Sequence, residues 1–303
     1  MVDLHPLAPD TSARLEGAGL DAVAVEALIR LALDEDLADG IDVTSGATIP
    51  ADQRCVVTFG ARAQGVIAGL PVAAAVVDIV CGQAASDFEY LIEDGHRVSA
   101  GHAVARVVAP TASMLTAERT ALNLLCHLSG VASLTARWAD ALDGTAARVR
   151  DTRKTMPGLR ALQKYAVRCG GGVNHRMGLY DAALVKDNHV AAAGGVAEAY
   201  AAVKDLEGTI PVEIEVDSLE GLRVAIEAGA DEVLIDNFTP DQMREAVALR
   251  DEIGPAVRLE ASGGLTLATA AEVGATGVDY IAVGELTHSA PVLDLGLDWE
   301  TLG

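Results

Sequence analysis

Between Arg148 and His189 the chain places nine basic side chains, Arg148, Arg150, Arg153, Lys154, Arg160, Lys164, Arg168, Arg176 and Lys186, against only Asp151, Asp181 and Asp187. The local charge of +6 contrasts with a formal net charge of −22 for the whole chain. Guanidinium forks pair carboxylate or phosphate through two hydrogen bonds, and an ammonium acts as a point charge. Such a concentration therefore implies a small polyanionic substrate. A solvated helix face also carries runs of charge, and Arg160, Lys164 and Arg168, roughly one turn apart, read as such a face.

A second group is acidic. In PVEIEVDS, Glu213 and Glu215 alternate and share one side of a strand, with Asp217 extending the row. Asp236 closes a later segment, DEVLIDNF. On neighbouring strands, Glu215 and Asp236 can hold a divalent cation through oxygen ligands or stabilise a developing cationic centre. Glu213 and Asp217 read equally as structural carboxylates. Paired carboxylates also admit glycoside hydrolysis, but the cations nearby call for an anionic sugar rather than a neutral glycan. The third group is glycine-rich: Ser262, Gly263 and Gly264 follow VRLEA, and Gly284, Glu285, Leu286, Thr287 and His288 follow DYIAV. Backbone amides at such loops cradle phosphate. Together the three groups describe a magnesium-bound phosphosugar facing a substrate rich in carboxylates.

These residues need elements to gather them. Short apolar segments recur after residue 142, each ending in a polar residue and followed by a Gly/Ala-rich helical stretch. Their landmarks, Asp151, Lys186, Glu215, Asp236, Ser262 and Gly284, lie 35, 29, 21, 26 and 22 positions apart. A strand with its returning helix needs that length, so this half reads as six βα units around a parallel sheet, closed or nearly closed into a barrel. The C-terminal strand ends of a βα barrel line its active site. Upstream, residues 21–33 have helical periodicity behind Asp21, residues 55–67 alternate like a strand pair, and the Ala/Val run 72–80 reads as a buried helix. Residues 88–108 read as paired strands around the turns at Asp94-Gly95 and Ala100-Gly101, and 115–142 as a long helix. The stretch EDGHRVSAGHAVARVVA has the rhythm of a lipoyl or biotinyl hairpin. Such a carrier needs a lysine at its turn, and the first lysine in the chain is Lys154. A structural β-sandwich piece is what remains.

Half of the residues are hydrophobic but only 3% are aromatic, so the core must be built from Ala, Val, Leu and Ile. The acid excess repels phosphate polymers and anionic lipid, which argues against nucleic-acid or membrane partners. The longest apolar run, 68–77, contains Gly69 and Pro71 and is too short for a bilayer. No secretory signal is visible at the N-terminus, and Cys55, Cys81, Cys126 and Cys169 are far apart without a CxxC pair. Reduced, buried thiols in a cytoplasmic protein are expected.

The segments TAERTALN (116–123), DTRKT (151–155), GGVNHRMGLYDAALVKDNH (171–189), EIEVD (213–217), LIDNF (234–238), EASGG (260–264) and the end VGELTHSAPVLDLGLD resemble the quinolinate phosphoribosyltransferases. The resemblance implies an N-terminal α+β sandwich domain at 1–128 and an incomplete α/β barrel at 129–288, with the tail 289–303 packing back on the first domain. It implies transfer of phosphoribosyl from phosphoribosyl pyrophosphate to quinolinate, with decarboxylation, to give nicotinate mononucleotide, pyrophosphate and carbon dioxide in NAD synthesis. It also implies homodimers, or dimer-based oligomers, with shared sites. By the same resemblance, Arg119 (from the partner), Arg153, His175, Arg176 and Lys186 would form the quinolinate pocket. Thr152, Lys154, Ser262, Gly263, Gly264, Gly284, Glu285 and His288 would hold the donor's phosphate oxygens. Glu215 and Asp236 would bind Mg²⁺ or ribose hydroxyls, and Lys154, Lys186, Glu215 and Asp236 would be the catalytic set.

Two enzymatic alternatives stay open at this level. One is a phosphoribosyltransferase for another pyridine carboxylate such as nicotinate. The other is a sugar-phosphate aldolase in which Lys186 forms a Schiff base. A phosphate-binding scaffold without catalysis leaves the meeting of cations and carboxylates at strand ends unexplained.

Overall fold

The computed structural model describes residues 2–38, 40–204 and 210–302, the side chains of 301 and 302 excepted. Parts of the expected segments 1–128, 129–288 and 289–303 outside those stretches lie outside the described residues. The chain divides into two compact units: Met1–Leu134 with Pro157–Gly171 and Ser289–Gly303, and Thr135–Met156 with Gly172–His288.

In the first unit the helix Ala22–Leu37 starts where expected, its N-terminal amides at Val23 and Ala24 donating to the Asp21 side chain. Val25, Ile29, Leu33 and Leu37, four residues apart, form its buried stripe. Strands β1 (Arg54–Ala61), β2 (Gly65–Val66), β3 (Asp87–Tyr90), β4 (Arg97–Val98) and β5 (Ala103–Pro110) follow. The C-terminal strand Leu295–Leu302, β1, β5 and β3 make one antiparallel sheet in that order, while β2 and β4 pair separately. The helix Leu70–Cys81 is apolar all round apart from Asp78, and every residue of it is buried. Asp94, at an expected turn, accepts from the amides of Gly69 and Leu70 at its start and from the Tyr165 hydroxyl at 2.6 Å.

The helix Thr111–Ala141 spans both the expected boundary at 128/129 and the point near 134/135 where the two compact units part. A Cβ at Gly130 would lie 2.2 Å from the Pro291 carbonyl oxygen, so only glycine lets the C-terminal segment cross there. Residues 157–171, expected in the barrel, belong to the first unit. Their helix Arg160–Cys169 is tied to it by Tyr165–Asp94, by Gln163–His127 at 2.9 Å and by Arg168 donating to the Ala18 carbonyl. The single solvated face expected of Arg160, Lys164 and Arg168 is also corrected. Arg168 is exposed, Arg160 is half-buried and Lys164 is fully buried. All four cysteines are free, but only Cys55 and Cys81 are buried.

The second unit holds six parallel strands, β6 (Arg148–Arg150), β7 (Ala183–Val185), β8 (Val212–Val216), β9 (Glu232–Asp236), β10 (Arg258–Ser262) and β11 (Tyr280–Ala282), each at one of the expected βα units. Their order is β6-β11-β10-β9-β8-β7. Among the described residues β6 and β7 do not pair, and the outer side of β6 makes only a single bridge, Arg150 to Val173. The fold is thus α/β: one unit is an incomplete barrel and the other is an α+β unit. Among the described residues no helix is long and apolar enough to cross a membrane.

Candidate active site

The C-terminal ends of the six strands surround a cavity of about 440 Å³. Thr152, Arg153, Lys154, His175, Arg176, Lys186, Glu215, Asp236 and Ser262 all line it, from five strands and the loop before β7. The chain from β6 turns at once: the Lys154 amide donates to Thr152 Oγ1 at 3.0 Å, and the Thr287 hydroxyl donates to the Lys154 carbonyl at 2.8 Å. A Cβ built at Gly284 would lie 2.9 Å from Lys154 Cδ and 3.3 Å from His288 Nε2, so these three residues are neighbours. At Gly263 the backbone has φ +90° and a Cβ would meet Asn237 Oδ1 at 2.2 Å. Glycine is required there twice over, by conformation and by space. The Ser262 carbonyl accepts from the Asn237 amide at 2.9 Å, which ties the SGG loop to the end of β9.

The cations are unevenly satisfied. Lys186 Nζ pairs with Glu215 Oε2 at 2.9 Å, and Arg176 donates to the Ala182 carbonyl. Arg153 makes no ion pair among the described residues, and its Nε is buried without a partner. Burial first, and then the nearby Arg153 charge, lower the pKa of Arg176. Two guanidinium groups are thus held close enough to repel, an arrangement that an incoming dianion relieves.

Glu215 and Asp236 line both the mouth and an adjoining cavity of about 420 Å³ that reaches Asp217, Ser218 and Asn237. A larger chamber, about 640 Å³, opens at the other strand ends. It shares His175 and Arg176 with the mouth, and the ion pairs Arg150–Glu232 and Arg258–Glu232 line it together with apolar residues such as Ala183, Pro211 and Val212. Its size does not make it the site, because Thr152, Lys154, Ser262, Glu215 and Asp236, all expected to hold the donor, line the smaller cavity.

Sequence reasoning did not single out Arg150 or Glu260 and left Glu213 as structural. Arg150 donates to Glu260 Oε2 at 2.7 Å and also pairs with Glu232. Burial opposes its charge, but the Glu260 and Glu232 carboxylates more than offset that and raise its pKa. Burial, then the neighbouring carboxylates, pushes Glu213 and Glu260 up to about 8. Period-two alternation back from Asp236 to Glu232, and from Ser262 to Glu260, carries the signal. His175 donates or accepts at Nε2 toward Glu213 at 2.6 Å, and its Nδ1 accepts from the Arg176 amide at 2.7 Å. It lines the mouth, as expected of a pocket residue, and both ring nitrogens have partners within the protein. Glu285, expected among the donor-binding residues, accepts at Oε1 from the Trp138 indole N–H at 3.0 Å. Gly264 is exposed with φ +60°, and Arg119 is exposed on the helix Thr111–Ala141 of the first unit. The His189 ring makes a structural bond, accepting from the Lys186 amide at 2.9 Å.

The family model for the N-terminal domain of quinolinate phosphoribosyl transferase matches residues 42–129, and the model for its C-terminal domain matches 131–298. The chain belongs to the quinolinate phosphoribosyl transferase family. A relative named nicotinate-nucleotide pyrophosphorylase (carboxylating), from Mycobacterium leprae, is 53% identical over 270 residues, 89% of this chain and 95% of its own. A tobacco protein named quinolinate phosphoribosyltransferase (decarboxylating) 1b is 38% identical across 91% of this chain and 83% of its own. The crystal structure of NadC from Streptococcus pyogenes superposes with a TM-score of 0.87 at 37% identity, covering 94% of this chain and 99% of that one. Both units of the transferase family are therefore present.

Proposed function

We propose that the chain transfers the phosphoribosyl group of phosphoribosyl pyrophosphate to quinolinate and decarboxylates the adduct, giving nicotinate mononucleotide, pyrophosphate and carbon dioxide in de novo NAD synthesis. The observation that carries this reading is the unpaired Arg153 guanidinium held beside Arg176 at the barrel mouth. A monocarboxylate would leave positive charge unmatched there, whereas the two adjacent carboxylates of quinolinate match it with Lys186. The pyridine nitrogen supplies the electron pair that bonds to the anomeric carbon, and pyrophosphate leaves with the pair of the bond that breaks. Glu215 and Asp236 lie where positive charge develops on the sugar. Once the ring is a pyridinium, it accepts the electrons of the breaking carbon–carboxylate bond at C2, and the carbanion then takes a proton.

Glu215 and Asp236 offer two oxygen donors at adjacent strand ends, facing two connected cavities. Mg²⁺ is ordinarily held by one or two carboxylates with substrate phosphates and water, so the donor set fits this ion. When bound it would offset the charge of the donor's phosphates. Lys154, with the Ser262–Gly263–Gly264 and Gly284–His288 loops, would hold the phosphate oxygens. The same reading includes a cytoplasmic homodimer, or dimer-based oligomer, in which Arg119 completes the partner's site.

The ion pair of Lys186 with Glu215 speaks against the aldolase alternative, because a Schiff-base lysine must present a free amine. The test is turnover with phosphoribosyl pyrophosphate and Mg²⁺ on quinolinate and, separately, on nicotinate. Carbon dioxide and pyrophosphate in equal amounts from quinolinate, with nicotinate far slower, are expected. Preference for nicotinate would refute the substrate.

A further inference from the structure

Below the mouth, the barrel interior is charged where branched aliphatic side chains ordinarily fill it. Glu213 lines the larger chamber and reaches the mouth cavity through His175, which lines both. Its Oε2 lies 2.6 Å from His175 Nε2, and its Oε1 is buried with no hydrogen-bond partner. The other ring nitrogen of His175, Nδ1, accepts the Arg176 backbone N–H at 2.7 Å. A nitrogen that accepts carries no proton, so the ring proton sits on Nε2 and is donated to Glu213. An imidazolium would set a second N–H against the Arg176 amide. His175 is thus held as one neutral tautomer. Four other charged groups face it. Glu260 of β10 has its Oε1 3.9 Å away, with Arg150 of β6 bonded behind it. Asp151 accepts the His175 backbone N–H at 2.9 Å, and Arg176 is its neighbour in sequence.

We propose that Glu213 is a positioning residue for the transfer reaction. It fixes the tautomer and orientation of His175, which shapes the pyridine pocket as a neutral wall while Arg153, Arg176 and Lys186 carry the charge. The inference rests on the quinolinate reading above for its substrate, though not for the tautomer. A ring released to turn or to gain charge would shift a bound pyridine, and misplacement by about 1 Å costs on the order of 10²-fold in rate.

Nitrogen-15 spectra of the full-length protein, with His175 assigned by a His175→Asn variant, should show Nε2 protonated and Nδ1 bare from about pH 5 to about pH 8. Glu213→Ala should lower kcat/KM for quinolinate about 10²-fold. It should also introduce a pH dependence near the ordinary histidine value of about 6.5. Glu213→Gln retains an acceptor oxygen and should recover most of the rate. An imidazolium signal from His175 at neutral pH in the wild type overturns the proposal, and so does a Glu213→Ala enzyme with native kcat/KM and pH profile. If Glu213→Ala does not fold, the wild-type spectrum decides. A wild type without quinolinate turnover overturns the proposal through the reading it rests on. Normal turnover with a charged His175 overturns it alone.

Discussion

The guanidinium of Arg153 reaches the mouth cavity half-buried, unpaired among the described residues, and close enough to Arg176 to lower its pKa. A cation so placed costs free energy until an anion arrives, so it belongs to recognition and not to folding. Arg153→Ala should reduce kcat/KM for quinolinate by about 10²–10³-fold while leaving the thermal midpoint unchanged. Arg153→Lys should recover only part, because an ammonium lacks the fork. A normal rate in Arg153→Ala would contradict the assignment. Arg153, Lys154 and Lys186 were legible because each follows a short apolar segment at βα spacing. Arg150 and Glu260 were not, since their work depends on partners from other strands. Glu285 shows the converse: its place in a glycine-rich loop marked it for phosphate, and the loop's sequence gives no sign of the hydrogen bond it accepts from Trp138.

At the level of elements, the βα half was readable from spacing alone, because a parallel strand cannot return without a helix of fixed length. The helix Arg160–Cys169 was harder, since three cations at helical spacing say nothing of which side meets solvent, and Lys164 turns inward. The interior of the barrel has a consequence for stability. Glu213 and Glu260 stand at about 8 in the fold, against about 4.3 in an unfolded chain. Between those values the folded protein keeps protons that the unfolded chain has released. Their contribution is therefore full below the unfolded value and lost as pH rises through the folded one. The thermal midpoint should fall between about pH 5 and about pH 9, and Glu213→Gln should flatten the slope. A midpoint that climbs across this range would contradict the assignment.

For the whole molecule, a net charge of −22 sets a repulsive field for polyanions, and the cationic stretch from Arg148 to Lys186 is the local exception that admits a small one. Arg119, exposed and in the other unit, is the residue whose role most needs a second copy of the chain. Mixing Arg119→Ala with Lys186→Ala subunits, each inactive alone, should restore about a quarter of native turnover under random exchange into dimers. No recovery after verified exchange would remove the shared site. The most direct test of the convergent cationic pocket is a crystal structure with quinolinate bound. Its two carboxylates should lie in the mouth cavity against Arg153, Arg176 and Lys186, with the ring nitrogen turned toward Glu215 and Asp236. A ligand found instead in the chamber beside Arg150 and Arg258 would contradict the account.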